Sequence, residues 1–294
     1  MCLLYLFVNP QPKPDEYLLV LANVRDEFFG RPTSGCHVWE RNPQLVGPMD
    51  LEEGKAGGTW LGMNVTGKLA SLLNIIQPLD EITGDEKLPR GHLVVKYLEG
   101  QHDGASYLRD LSRRAEDFDR FLLVTLDIRP SRQDIEATCY TNALDAPPVP
   151  LQPGFHAFGN SNPLRPWRKV VESRRQFSDI VRRFGKTSRK QALVDELLAM
   201  MRNSTEYFPD AQLLKDAEGR SEESLRGLSS VFVRVEDEYY GSRTHTVILV
   251  DSMGSVDYVE RTMQQPIDLD RDEPWLTTVH RFGIQETGSL VSRL

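Results

Sequence analysis

MCLLYLFVNPQPKPDEYLLVLANVRDEFFGRP, residues 1–32, is the stretch on which the fold turns. Two apolar runs, CLLYLFV and YLLVLANV, flank NPQPKPDE, whose three prolines make a turn-rich connection. The reading is a β-hairpin, and it brings Cys2 to the far end of the second run, beside the polar cluster NVRDE. If the second strand continues through that cluster, adjacent Arg25 and Asp26 point to opposite faces. They then do different jobs.

Cys2 directly follows Met1. A free cysteine is a small hydrophobe that packs well in a core. It is also a residue small enough to allow removal of the methionine, which leaves one residue carrying both a thiol and an α-amine. A thiol is a poor nucleophile until a base takes its proton. An α-amine, with a reference pKa of about 7.7–8.0, sits where a general base works best. Position alone leaves both readings open.

The chain has 294 residues, 39% hydrophobic and 27% charged, enough for a sizeable core. Its net charge of -8 argues against nucleic acid as a partner. Three cysteines without CxxC spacing, and six histidines without an HExxH pattern, suggest neither a disulfide framework nor a metal site. The apolar start is too short for a signal peptide, and no apolar run reaches transmembrane length. The expected compartment is therefore the cytosol or an organelle matrix.

Further along, GGTWLGMNVTGKLASLLN reads as a second hairpin with its turn at residues 64–67, and Gly57 and Gly58 permit close backbone approach. Residues 91–99 and 104–118 look helical; RFLLVTLD and IEATCYT return to strand. PWRKVVESRRQFSDIVRRFG is the clearest helix, with Pro166 at its start, Gly185 at its end and an apolar stripe from Trp167 to Phe184. RKQALVDELLAMM is a second helix. Residues 203–227 are polar and lack a period, so a mobile surface loop is expected there. LSSVFVRVED, THTVILVD and SVDYVERTM close the chain as strands. Strands, paired helices and strands again imply helices packed on sheets.

Two asparagines invite an oxyanion role: Asn74, ending LASLLN, and Asn162 in GNSNPLRPW. The alternative for each is a turn or cap. Between Arg165 and Lys190, ten Arg or Lys face only Glu172 and Asp179. Part of that surplus is an ion-paired face, with Arg168–Glu172 and Arg175–Asp179 at i,i+4. The remainder, with Arg174, Arg175, Arg182 and Arg183 as candidates, suits a phosphate, a propionate or an acidic membrane surface.

Met1-Cys2, VRDEFFGRP, DLEEGKAGGTWLG, GKLASLLNIIQP, SN at 161–162 followed by PWRK, and YGSRTHTVILVD occur in order along most of the chain. Together they resemble the transport and Golgi organisation protein 2 family, also called the NRDE family. That family has Asn immediately before Arg-Asp-Glu. Here Val24 stands there and Asn23 lies one position earlier. The spacing from Asn162 to Pro166 is also shorter than usual for the family.

The family is similar in turn to N-terminal-nucleophile hydrolases. The resemblance implies one domain over residues 1–294 with an α+β fold, a four-layer αββα sandwich of that hydrolase type. Carried over, the candidate site residues are Cys2, Arg25, Asp26, Asn74, Asn162 and Arg243. The hydrolases separate their Arg and Asp by two residues, whereas Arg25 and Asp26 adjoin. Two functions are implied. One is a trafficking protein mobilising haem out of haem-rich compartments, bearing on lipid homeostasis and ER–Golgi organisation. The other is an N-terminal-cysteine hydrolase of an amide or thioester such as an acyl-coenzyme A. The implied partners are haem or acyl-coenzyme A, with haem as cargo, and a peripheral membrane contact. The implied location is the cytoplasm, with mitochondrial or Golgi association.

Overall fold

The computed structural model describes residues 2–79, 87–269 and 274–285. Strands β1 (Cys2–Val8) and β2 (Tyr17–Phe28) form the expected hairpin, with Cys2 opposite Arg25 and Val8 opposite Leu19. β3 (Thr33–Trp39), β4 (Asn42–Asp50), β5 (Leu61–Asn64) and β6 (Lys68–Asn74) follow as an antiparallel meander. Helices α1 (Gly91–Glu99) and α2 (Gly104–Ser112) precede β7 (Phe121–Arg129), β8 (Asp134–Thr141), β9 (Val149–Pro150) and β10 (Gly154–Phe158). Next come α3 (Arg168–Phe184), α4 (Lys190–Met201), α5 (Ala211–Asp216) and α6 (Glu222–Leu228). β11 (Arg234–Val235), β12 (Tyr240–Asp251), β13 (Ser255–Met263) and β14 (Trp275–Gly283) complete the described chain.

The strands form two sheets. One runs β10-β1-β2-β12-β13-β14, with β11 on β12; the other runs β3 to β9 in chain order. Alternate residues of β1 show how they stack. Leu3 and Tyr5 pack with Phe177, Leu197 and Leu213 of the α3–α6 layer. Leu4 and Leu6 pack with Leu61, Leu69 and Val124 of the other sheet. On the outer face of that second sheet, Ala70, Leu72 and Leu123 meet Leu93, Val94 and Leu108 of α1 and α2. The layering is helix, sheet, sheet, helix. All of β1 but half-buried Phe7, and residues 17–22 of β2, are buried on both faces, which is why they read as unbroken apolar runs and not as alternating ones. No helix among the described residues is long and apolar enough to cross a membrane.

Residues 203–227 differ from expectation. They hold two short helices, capped by Asp210 and Ser221, whose side chains accept from Leu213 N–H and Ser224 N–H. Leu213, Ala217 and Leu225 are buried in the core against β1 and β2. Helices of six and seven residues span barely two turns, too few for a hydrophobic period to emerge. The run LSSVFVRVED also departs from expectation, because only Arg234 and Val235 pair as strand. Ser229 N–H instead continues the turn of α6, donating to the Leu225 and Arg226 carbonyls.

Candidate active site

Cys2, the first residue of β1, lines a pocket of about 160 Å³ together with Arg25, Asp26, Asn74, Trp60 and Arg90. The hairpin register sets Cys2 beside Arg25, and the β5–β6 hairpin carries Trp60 and Asn74 to the same place from the second sheet. Cys2 is 7% exposed. Burial pushes its thiol up to about 11, Asp26 adding to the shift and Arg25 opposing it. A thiol in that state needs a base before it can attack.

Arg25 and Asp26 do face different layers. The Arg25 guanidinium lies 4.0 Å over the Trp60 ring, toward the second sheet. It reaches Glu27 at 3.6 Å, and its Nη1 is buried without a hydrogen-bond partner among the described residues. Glu27 in turn pairs with Arg31 at 3.2 Å, and Arg31 with Asp50 at 2.6 Å, closing one rim with alternating charge. Asp26 accepts a 2.5 Å hydrogen bond from Ser242 Oγ across β12. Burial raises its carboxyl above the ordinary value, and the Lys169 ammonium of the helix layer is the largest opposing influence. Lys169 is itself fully buried and pushed down to about 8 by that burial, donating to the Ser230 carbonyl at 3.0 Å.

The second asparagine at the site is Asn160. Its Oδ1 accepts from the Cys2 backbone N–H at 3.3 Å, and its Nδ2 donates to the Asn74 carbonyl at 2.8 Å. One fully buried amide thereby ties the end of β1 to the end of β6, one strand from each sheet. Neither Asn160 nor Asn162 lines the pocket itself; Asn160 reaches it through the Cys2 nitrogen, whereas the Asn162 side chain accepts from Leu164 N–H at 2.9 Å as a turn residue does. GNSN offers two amides, and only the fold shows which of them meets Cys2.

Arg243 also lies off the pocket lining. Its Nη1 donates to the carbonyls of Phe28, Phe29 and Arg31, at 2.7, 3.2 and 2.8 Å. It therefore shapes the turn that presents Arg31, and burial with Arg25 nearby holds its pKa down at about 10. The opposite wall depends on two glycines. A Cβ on Gly58 would sit 3.0 Å from the Gly91 carbonyl carbon, and Thr59 N–H donates to the Gly91 carbonyl. The close approach expected of Gly57-Gly58 brings the N-terminus of α1 to the pocket.

The basic residues of α3 form a different feature. Arg174, Arg175 and Arg182 border a groove beside β10. Arg183 does not join them; its guanidinium lies over Phe184 at 5.1 Å. The ion pairs on this helix are Arg175–Glu172 and Arg182–Asp179, at i,i+3, in place of the expected i,i+4 set.

A family model described as Transport and Golgi organisation 2 matches residues 1–265. The Transport and Golgi organization protein 2 homolog of Bos taurus is 36% identical over 289 residues, covering 97% of this chain and 100% of that one. The Mus musculus homolog is 33% identical over 287 residues with the same coverage. The Drosophila melanogaster protein is 33% identical over 276 residues, covering 90% of this chain and 92% of its own. Among solved structures, a mutant conjugated bile acid hydrolase from Clostridium perfringens aligns at a TM-score of 0.44 with 8% identity. That alignment covers 99% of this chain and 100% of the hydrolase.

Proposed function

The chain belongs to the Transport and Golgi organisation 2 family, and we propose that its Cys2 pocket is the site of an N-terminal-cysteine hydrolase opening an amide or thioester. Removal of Met1 turns the Cys2 nitrogen into a free amine. That amine takes the thiol proton, Sγ bonds to the carbonyl carbon, and the leaving amine or thiol departs with the proton. Water then releases the acid and restores the thiol. Asn74 and Arg25 Nη1 are the donors available to the developing oxyanion.

The observation that carries this reading is the Asn160 amide, whose oxygen lies 3.3 Å from the Cys2 nitrogen while its NH2 group holds the Asn74 strand end. It fixes the nitrogen that would act as base and, through the backbone, the residue that would hold the oxyanion. Arg25, Arg31, Lys55, Lys87 and Arg90, five bases against four acids among the described residues, line the pocket beside the N-terminus of α1. That setting supports a substrate with an anionic head, and acyl-coenzyme A has one. Cys2→Ala tests it: turnover of acyl-amide and thioester substrates should vanish with the fold intact. Undiminished turnover would overturn the proposal.

A cargo role is the second reading: mobilising haem or another amphipathic anion, with consequences for lipid homeostasis and ER–Golgi organisation. The observation that favours it lies outside the cysteine pocket, in the concentration of arginines on α3 of an acidic chain. Haem transfer that survives Cys2→Ala but fails when those arginines are replaced would support it. The reverse pattern would overturn it.

A further inference from the structure

The groove beside α3 has a volume of about 630 Å³, within the range of about 300–1,000 Å³ common for small-molecule sites. β10 is the edge strand of its sheet, so the floor is open on one side. Phe155, Phe158, Pro163, Pro166 and Val170 supply an apolar lining, and Val171 remains 37% exposed there. The Phe155 ring is held from below by Phe7, stacked at 4.6 Å, so the floor is preformed. Arg174 grips the Phe155 carbonyl through Nε and Nη2 at 3.2 and 2.8 Å, and the Arg182 guanidinium lies 5.2 Å over the Phe155 ring.

Charge selects the occupant. Arg174, Arg175 and Arg182 line the groove and, among the described residues, no carboxylate does, although the chain as a whole carries -8. Glu172 and Asp179 neutralise Arg175 and Arg182 only from outside the lining, in exposed pairs that screen easily. We propose that this groove seats one monomeric amphipathic anion, its apolar body on the Phe155–Val171 floor and its carboxylate or phosphate on Arg175 and Arg182. The assignment deepens the cargo reading and rests on it, and it does not involve the cysteine pocket. A recessed apolar floor of this size fits a single ligand better than a membrane plane, which a protruding face would meet.

Calorimetry with dodecanoate, dodecanol, haem and phosphatidylserine vesicles tests it on the full chain. Dodecanoate should bind at one to one, and dodecanol at least about tenfold more weakly. Val171→Glu, which sets a like charge on the floor, should weaken dodecanoate about tenfold or more. So should Arg175→Gln with Arg182→Gln, a pair whose side chains are 70% and 65% exposed. Cys2→Ala should bind as the parent does. Dodecanoate binding that ignores both groove variants would overturn the groove assignment and leave the cargo reading standing. No binding of dodecanoate or haem would overturn both, and binding to vesicles alone would replace the monomeric ligand by a membrane.

Discussion

Cys2 and Asn160, 158 positions apart, are joined by a hydrogen bond from the Cys2 backbone nitrogen to the Asn160 amide oxygen. The same amide donates to the Asn74 carbonyl. A single side chain thus registers the Cys2-bearing strand of one sheet against the Asn74-bearing strand of the other.

Asn160→Ala should cost stability and activity together. It removes both hydrogen bonds from a fully buried position and leaves the Asn74 carbonyl without that donor, a loss of roughly 2–4 kcal/mol. Hydrolysis should fall at least about a hundredfold, because nucleophile and oxyanion donor lose their common support. Asn162→Ala removes only the turn contact to Leu164, with an expected cost below about 1 kcal/mol. Denaturant titration and initial rates of the two variants give the comparison; equal effects would remove Asn160 from its assigned place.

Glu260, on β13, should set a pH dependence of stability. Its Oε1 accepts from Cys36 N–H at 2.6 Å, its Oε2 is buried without a hydrogen-bond partner among the described residues, and burial raises it to about 7 from 4.5, Arg25 opposing. A raised acid favours the protonated fold. Its contribution is complete below pH 4.5 and is lost as pH rises to about 7. Glu260→Gln cannot titrate and keeps an oxygen for Cys36. Its stability relative to the parent should therefore climb by roughly 3 kcal/mol across that interval and level off above it. Denaturant midpoints measured at several pH values check the slope; a pH-independent difference would refute it.

Leu213→Ala tests whether residues 203–227 are anchored in the core. The side chain is fully buried among Leu197, Trp167 and Val231, so truncation should cost about 2–5 kcal/mol. A neighbouring exposed substitution, Leu214→Ala at 40% exposure, should cost well under half of that. Thermal unfolding of both variants decides. Equal, negligible shifts would return the segment to a loop.

The opening hairpin was legible because each run is apolar without interruption and prolines separate the two. The β5–β6 hairpin and the helices α3 and α4 were legible for similar reasons of length and period. Edge strands were not: β14 alternates half-buried and exposed positions, and β10 is half-buried throughout, so neither carries a strong pattern. At the site, Cys2, Arg25, Asp26 and Asn74 converge because each lies at or near a strand end that the hairpins bring together. Asn160 escaped because a loop of two asparagines has no period to say which one turns inward. Arg243 was found, but its work is on the Phe28–Arg31 carbonyls, a contact that only the folded turn creates.

In the proposed chemistry Cys2 becomes an N-terminal nucleophile. Intact-mass spectrometry of the purified chain, before and during incubation with octanoyl-coenzyme A, tests it most directly. The account predicts a chain lacking Met1 that gains a single acyl mass and then loses it as free coenzyme A accumulates, with no such cycle in Cys2→Ala. A chain that retains Met1, or an acyl mass that never clears, would contradict it.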